Sequence, residues 1–95
     1  MDTHDDAIEA LAALSRQAAL MSHAVLEKDF DKARVHLARI AADAADEGQE
    51  SIVVAAQGLA RVLRAEGSIP APGYGGGILE LAEALDAAQE NLLAR

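Results

Sequence analysis

Residues 26–63, LEKDFDKARVHLARIAADAADEGQESIVVAAQGLARVL, decide the fold, because two apolar rhythms of helical period run through them with chemically legible breaks. In the first, Phe30, Ala33, Leu37, Ile40, Ala41 and Ala44 recur at three and four spacing, which places them on one side of a helix over about 30–46. Asp29 stands where an N-cap is needed, and Phe30 can tuck under the end of a bundle. Asp46, Glu47 and Gly48 form the next interruption. A glycine there either ends the helix or is absorbed into a bend. The second rhythm, QESIVVAAQGLARVLRAEG, aligns Ile52, Ala56, Leu59 and Leu63, and Gly67 supplies its stop. Gly58 lies inside it, where glycine costs about 1 kcal/mol against alanine, and close approach by a neighbouring helix is the expected reason.

Working outward, the chain before this stretch reads as one long amphipathic helix over 4–27. Thr3 is its expected N-cap, Asp5 and Asp6 favour the positive end of the helix dipole, and Leu11, Leu14, Ala18, Met21 and Val25 share a face. The chain after it, SIPAPGYGGG, is the one true loop: Pro70 and Pro72 exclude a continuous helix, and four glycines within 73–77 permit positive φ. A last helix over 77–95 aligns Ile78, Leu81, Leu85, Ala88 and Leu92. No stretch reads as a strand. The expected fold is all-α, a single-domain four-helix bundle of up-down-up-down topology with a Gly/Pro-rich loop before the last helix.

Composition bounds what such a bundle can do. With 95 residues, 52% of them hydrophobic but many of these alanine, and with only Phe30 and Tyr74 as aromatics, the core must be thin. The formal charge of −8 repels phosphate backbones and anionic headgroups, so neither nucleic acid nor a membrane surface is expected as a partner. The chain has no cysteine, its opening MDTHDD is acidic and no apolar run approaches ~18 residues. A cytoplasmic protein is the expectation.

The sequence assembles no recognised catalytic set. Ser15, Ser22, Ser51 and Ser68 lie in no nucleophile motif, and Leu20 and Ala33 stand three residues before His23 and His36, where a di-iron bundle needs glutamate. GYGGG before a helix can receive an anion on free amides, yet it lacks the lysine and hydroxyl of a phosphate-binding loop, and a flexible connector is the preferred reading. Tyr74 there is expected as a plug or exposed contact. Glu80, Glu83, Asp86 and Glu90 read as a solvated face, His4 as inert, and His23 as a partner for the carbonyls ending the first helix. No metal or cofactor is expected. His36 keeps one functional alternative, that of a phosphoacceptor. Its helical neighbours Lys32, Arg39, Ile40 and Asp43 form a mostly polar face turned from the Leu37 stripe, so a solvated role is preferred.

From Leu26 to Leu63 the order of features resembles the histidine phosphotransfer (HPt) domains of multistep two-component signalling. EKDFDKA is similar to the short acidic turn with an aromatic that leads into their phosphoacceptor helix, and Gly48 matches the glycine after it. Ile52, Ala56 and Leu59 fall where the family's third helix has apolar residues. Aligned on Gly48, the family's His-x-Leu-Lys-Gly pattern falls with Ala38 at the histidine, Ile40 at the leucine, Ala41 at the lysine and Ala42 at the glycine. His36 lies two residues early, a rotation of ~200°, and does not replace a side chain at 38. The resemblance implies a degenerate phosphotransfer-like bundle that docks signalling proteins without carrying phosphate.

The expected function is a non-enzymatic protein-interaction module, possible as a homodimer, with another protein as partner. Val35, Ala38, Ala41, Ala42 and Ala45 are the expected partner-binding residues, with Val53, Val54 and Val62 widening the apolar sector on the third helix. The alternatives are active phosphotransfer through His36, and a secretion-chaperone or antitoxin-like helical binder. A helix continuous past Gly48 would favour a domain-swapped dimer.

Overall fold

The computed structural model describes residues 3–94, with side chains from Asp5 onward. Four helices follow in order: α1 (Thr3–Leu26), α2 (Phe30–Asp46), α3 (Glu50–Leu63) and α4 (Tyr74–Leu93). Each packs against its sequence neighbours, and α4 closes the ring against α1, giving the up-down-up-down four-helix bundle. The Thr3 cap and the His4 side chain lie outside the described side chains.

The turns have identifiable causes. Asp29 caps α2 by accepting the Lys32 amide at 3.2 Å. At the other end of α2, Gly48 takes φ +70°, its amide donates to the Ala45 carbonyl, and the Gln49 amide donates to that of Ala44. This pair of bonds is a Schellman ending. Helices α2 and α3 are therefore separate, and the continuous helix that would have favoured a swapped dimer is absent. The same pattern ends α1, with Lys28 at φ +60° in the position glycine normally fills.

The core follows the expected stripes. Leu11, Leu14, Met21 and Val25 meet Ala33, Leu37, Ile40 and Ala44, with Ile52, Ala56, Leu59, Leu63, Leu81 and Leu85 completing it. Phe30 does tuck under the bundle end, edge-on to Tyr74 with centroids 5.7 Å apart, so Tyr74 acts as a plug there.

Three sequence expectations are corrected. Helix α3 ends at Leu63, four residues before Gly67, because Arg64 turns out of the helix at φ +67°, ψ −166°. Helix α4 starts at Tyr74, so Gly75, Gly76 and Gly77 are helical and only Gly73 of that run uses positive φ, at +91°. Close helix approach occurs at Gly77, where an added Cβ would lie 2.9 Å from Leu59 Cδ1, whereas at Gly58 the same atom would meet nothing within 4 Å. Gly58 is thus no packing glycine.

Candidate protein-binding face

Helix α2 has two flanks, and the sequence furnishes them differently. The flank toward α3 carries Arg34, Val35, Ala38 and Ala41; opposite stand Ala56, Gln57, Ala60 and Arg64 of the antiparallel α3. Alanine side chains stop at Cβ, so two helices packed through Leu37, Ile40, Ile52 and Leu59 leave space between their outer edges. The result is an open groove of about 420 Å³ with an apolar floor, bounded at one end by Asp31, Arg34, Arg64 and Glu66.

Of the five residues expected to bind a partner, Val35, Ala38 and Ala41 line this groove. Ala42 and Ala45 do not, but both are exposed on α2. Val35, Ala38, Ala42 and Ala45 repeat at three, four and three spacing, which makes a solvent-facing stripe of one valine and three alanines beside the groove. Val35 is 69% exposed and Val54 of α3 60%. Val53 and Val62, by contrast, are half-buried.

The end of the groove is organised by a residue that sequence reasoning missed. The half-buried Arg34 spends its guanidinium on four acceptors: Nη1 donates to Asp31 Oδ1 at 2.5 Å, Nη2 to the carbonyls of Leu63 at 2.6 Å and Ser68 at 2.5 Å, and Nε to that of Arg64 at 3.2 Å. The Leu63 and Arg64 carbonyls are ones that a helix C-terminus leaves without internal partners, and that of Ser68 belongs to the loop that follows. Arg34 thus caps α3 from a neighbouring helix, and the planar fork of five donors is what allows one side chain to do so. Asp31 Oδ1 also accepts the Gly67 amide at 2.9 Å. That amide, with Arg34 beside it, holds the Asp31 carboxyl below the ordinary aspartate range. The spacing of Asp31 and Arg34 signals an i,i+3 pair; nothing local signals the reach to residues 63, 64, 67 and 68.

His36 occupies the other flank. It is half-buried in the α1–α2 seam, with Nδ1 2.9 Å from Gln17 Oε1. The expectation of a solvated His36 is corrected here, because Gln17 of α1 lies against its ring, while its helical neighbours Lys32, Arg39 and Asp43 stay exposed. In the tautomer that carries its proton on Nδ1, that nitrogen donates to the glutamine oxygen and Nε2 keeps its lone pair. His36 lines no part of the groove.

The remaining chemical expectations divide. His23 pairs with the carboxylate of Glu27 at 3.0 Å, on an exposed surface, in place of the helix-end carbonyls. Glu80, Glu83, Asp86 and Glu90 are all exposed, as a solvated face requires. Gln89 Nε2 donates to Ser15 Oγ at 2.9 Å, giving Ser15 a structural tie between α4 and α1. Among the described residues no three His, Asp or Glu side chains gather as a metal site. Among the described residues no helix is long and apolar enough to cross a membrane. Comparison of the chain with protein families, curated proteins and solved structures finds no match.

Proposed function

We propose that this bundle is a non-enzymatic protein-interaction module that binds another protein through its α2–α3 face. One observation carries the reading: an apolar groove of about 420 Å³ opens at the surface beside the exposed stripe Val35, Ala38, Ala42 and Ala45. Solvent-facing positions on a helix are ordinarily polar, and contiguous apolar surface marks places where another molecule sits. The HPt resemblance adds a setting, a phosphotransfer-like adaptor or regulator in bacterial two-component signalling, in the cytoplasm, with a receiver-type domain as partner. In this reading the alanines at 38, 41 and 42 replace the family's reactive residues and leave a docking surface.

Capture of partners by the immobilised chain from native cells, read by mass spectrometry, tests this. A signalling protein retained by the wild-type chain and by Glu83→Lys, but lost with Ala38→Glu and Ala42→Glu, is the expected result. A partner retained by both alanine variants and lost with Glu83→Lys overturns it.

A second reading has its own observation. With Nδ1 donating to Gln17, the His36 Nε2 lone pair is free, which is the state a phosphoryl acceptor needs. Incubation with a phosphorylated receiver domain decides it: label that reaches the wild-type chain and not His36→Ala supports phosphotransfer, and no label ends it.

A further inference from the structure

The charge of this molecule is divided between its halves. Of the formal −8, α1 and α4 account for −6, with seven carboxylates against Arg16 alone. Helices α2 and α3 are neutral, with four acidic and four basic residues. The half that carries the apolar groove is therefore the half on which net charge does not oppose association of two copies.

Within this nearly neutral half net positive charge gathers at one end and negative at the other. Because α2 and α3 are antiparallel, residues 28–39 and 57–66 share one end and residues 40–56 the other. The first end carries Lys28, Lys32, Arg34, Arg39, Arg61 and Arg64 against three carboxylates. The second carries Asp43, Asp46, Glu47 and Glu50 with no basic residue. Among the described residues, Lys32, Arg39, Arg61, Arg64 and these four carboxylates make no ion pair within the chain. A surface positive at one end and negative at the other is complementary to a copy of itself turned end for end.

We infer that the occupant of the α2–α3 face is a second copy of this chain, docked antiparallel about a two-fold axis beside Ile40. This deepens the interaction-module reading and rests on it. An isologous contact of this kind sets each residue against its symmetry mate's position. Placing Val35 level with Ala45 of the second copy brings Ala38 level with Ala42, so the two α2 stripes interlock through small residues that permit close approach. Lys32 then comes within a turn of Asp46 and Glu47 of the second copy, twice per dimer. The groove, at the basic end, receives the part of the opposing face that carries Val54 and Glu50. The cost lies at the axis, where the two Arg39 side chains approach; Asp43, one turn along the same helix, is within reach of each. The acidic α1–α4 halves point away from the interface.

The size of the face sets the strength. Helix α2 is ~25 Å long, and with α3 beside it the face offers roughly 500 Å² per copy, against the ~800 Å² of a standard interface. The dimer is a weak, concentration-dependent one.

Sedimentation equilibrium and light scattering from about 10 μM to about 1 mM test this. The expected result is a mass rising from one chain toward two. Ala42→Glu, Lys32→Glu and Asp46→Lys should each weaken association by about tenfold or more. An equimolar mixture of Lys32→Glu with Asp46→Lys should recover it, because each of the two contacts then joins opposite charges. All three positions are exposed, and circular dichroism confirms that the variants remain helical. A strict monomer at the highest concentration, a dimer indifferent to these substitutions, or a mixture that fails to recover association overturns the inference. If the chain stays monomeric yet captures another protein through Ala38 and Ala42, the second copy is excluded and the interaction module stands. If it dimerises as described and captures nothing else, self-association is the whole of its binding.

Discussion

The two flanks of α2 show how side-chain volume alone makes one seam closed and the next open. Toward α1 the helix presents His36, long enough to reach Gln17 and be held by it at 2.9 Å. Toward α3 it presents Ala38 and Ala41, whose side chains stop at Cβ, and a groove remains. Both seams rest on the same buried ladder of Ala33, Leu37, Ile40 and Ala44. The open seam is thus a feature of the outer positions, and the core does not depend on it.

The largest test of this contrast is at the groove's end. Arg34→Ala removes four charge-assisted bonds and leaves the Leu63, Arg64 and Ser68 carbonyls to find water; a loss of about 2–3 kcal/mol is expected in denaturant unfolding, with little recovery in Arg34→Lys, which lacks the fork. The same contact gives a pH signature. The folded-state pKa of Asp31 is lowered, so its contribution is fully present above the ordinary aspartate pKa and is lost as pH falls through the lower folded value. Acid titration of stability should therefore be shallower in Asp31→Asn than in the wild type across that window.

Smaller effects follow on either side. Gly58 adjoins Gln57 on the groove wall and has open space where a methyl would go, so Gly58→Ala should stabilise by about 1 kcal/mol in thermal unfolding without filling the groove. On the closed flank, Gln17→Ala should cost about 1 kcal/mol and shift the imidazole nitrogen resonances of His36 as Nδ1 loses its acceptor. Smallest of all, Ala38→Glu and Ala42→Glu should change unfolding free energy by no more than about 0.5 kcal/mol, since both residues are exposed. A large loss of stability at either position would mean that the stripe is core and not a surface held for a partner.

What was legible in the sequence is what a single helix can encode. Stripes at three and four spacing named nearly the whole core, whereas Gly48 left an ending and a bend equally open, and its φ of +70° with the Schellman bonds makes it an ending. What could not be read lies between helices. Arg34 ends α3 from thirty residues away, so the stop expected at Gly67 falls at Leu63. A helical wheel places His36 beside Lys32 and Asp43 but carries no information on the register that brings Gln17 to it. Gly58 stands alone inside a helical run and Gly77 in a glycine cluster, and only the packing of α3 on α4 reveals that Gly77 is the one meeting Leu59. For the candidate site, the alanine-rich face of α2 was visible, while its division into groove-lining Val35, Ala38 and Ala41 and outer Ala42 and Ala45 required α3.

Binding is assigned to the α2–α3 face and not to the acidic α1–α4 face. A photoactivatable cross-linking residue placed at Ala42, and in a separate chain at the equally exposed Ala87 of α4, tests it most directly in the native cell. Covalent adducts are expected from position 42, to a second copy or to another protein, and none from position 87. Adducts from position 87 alone, or none from position 42, would contradict it.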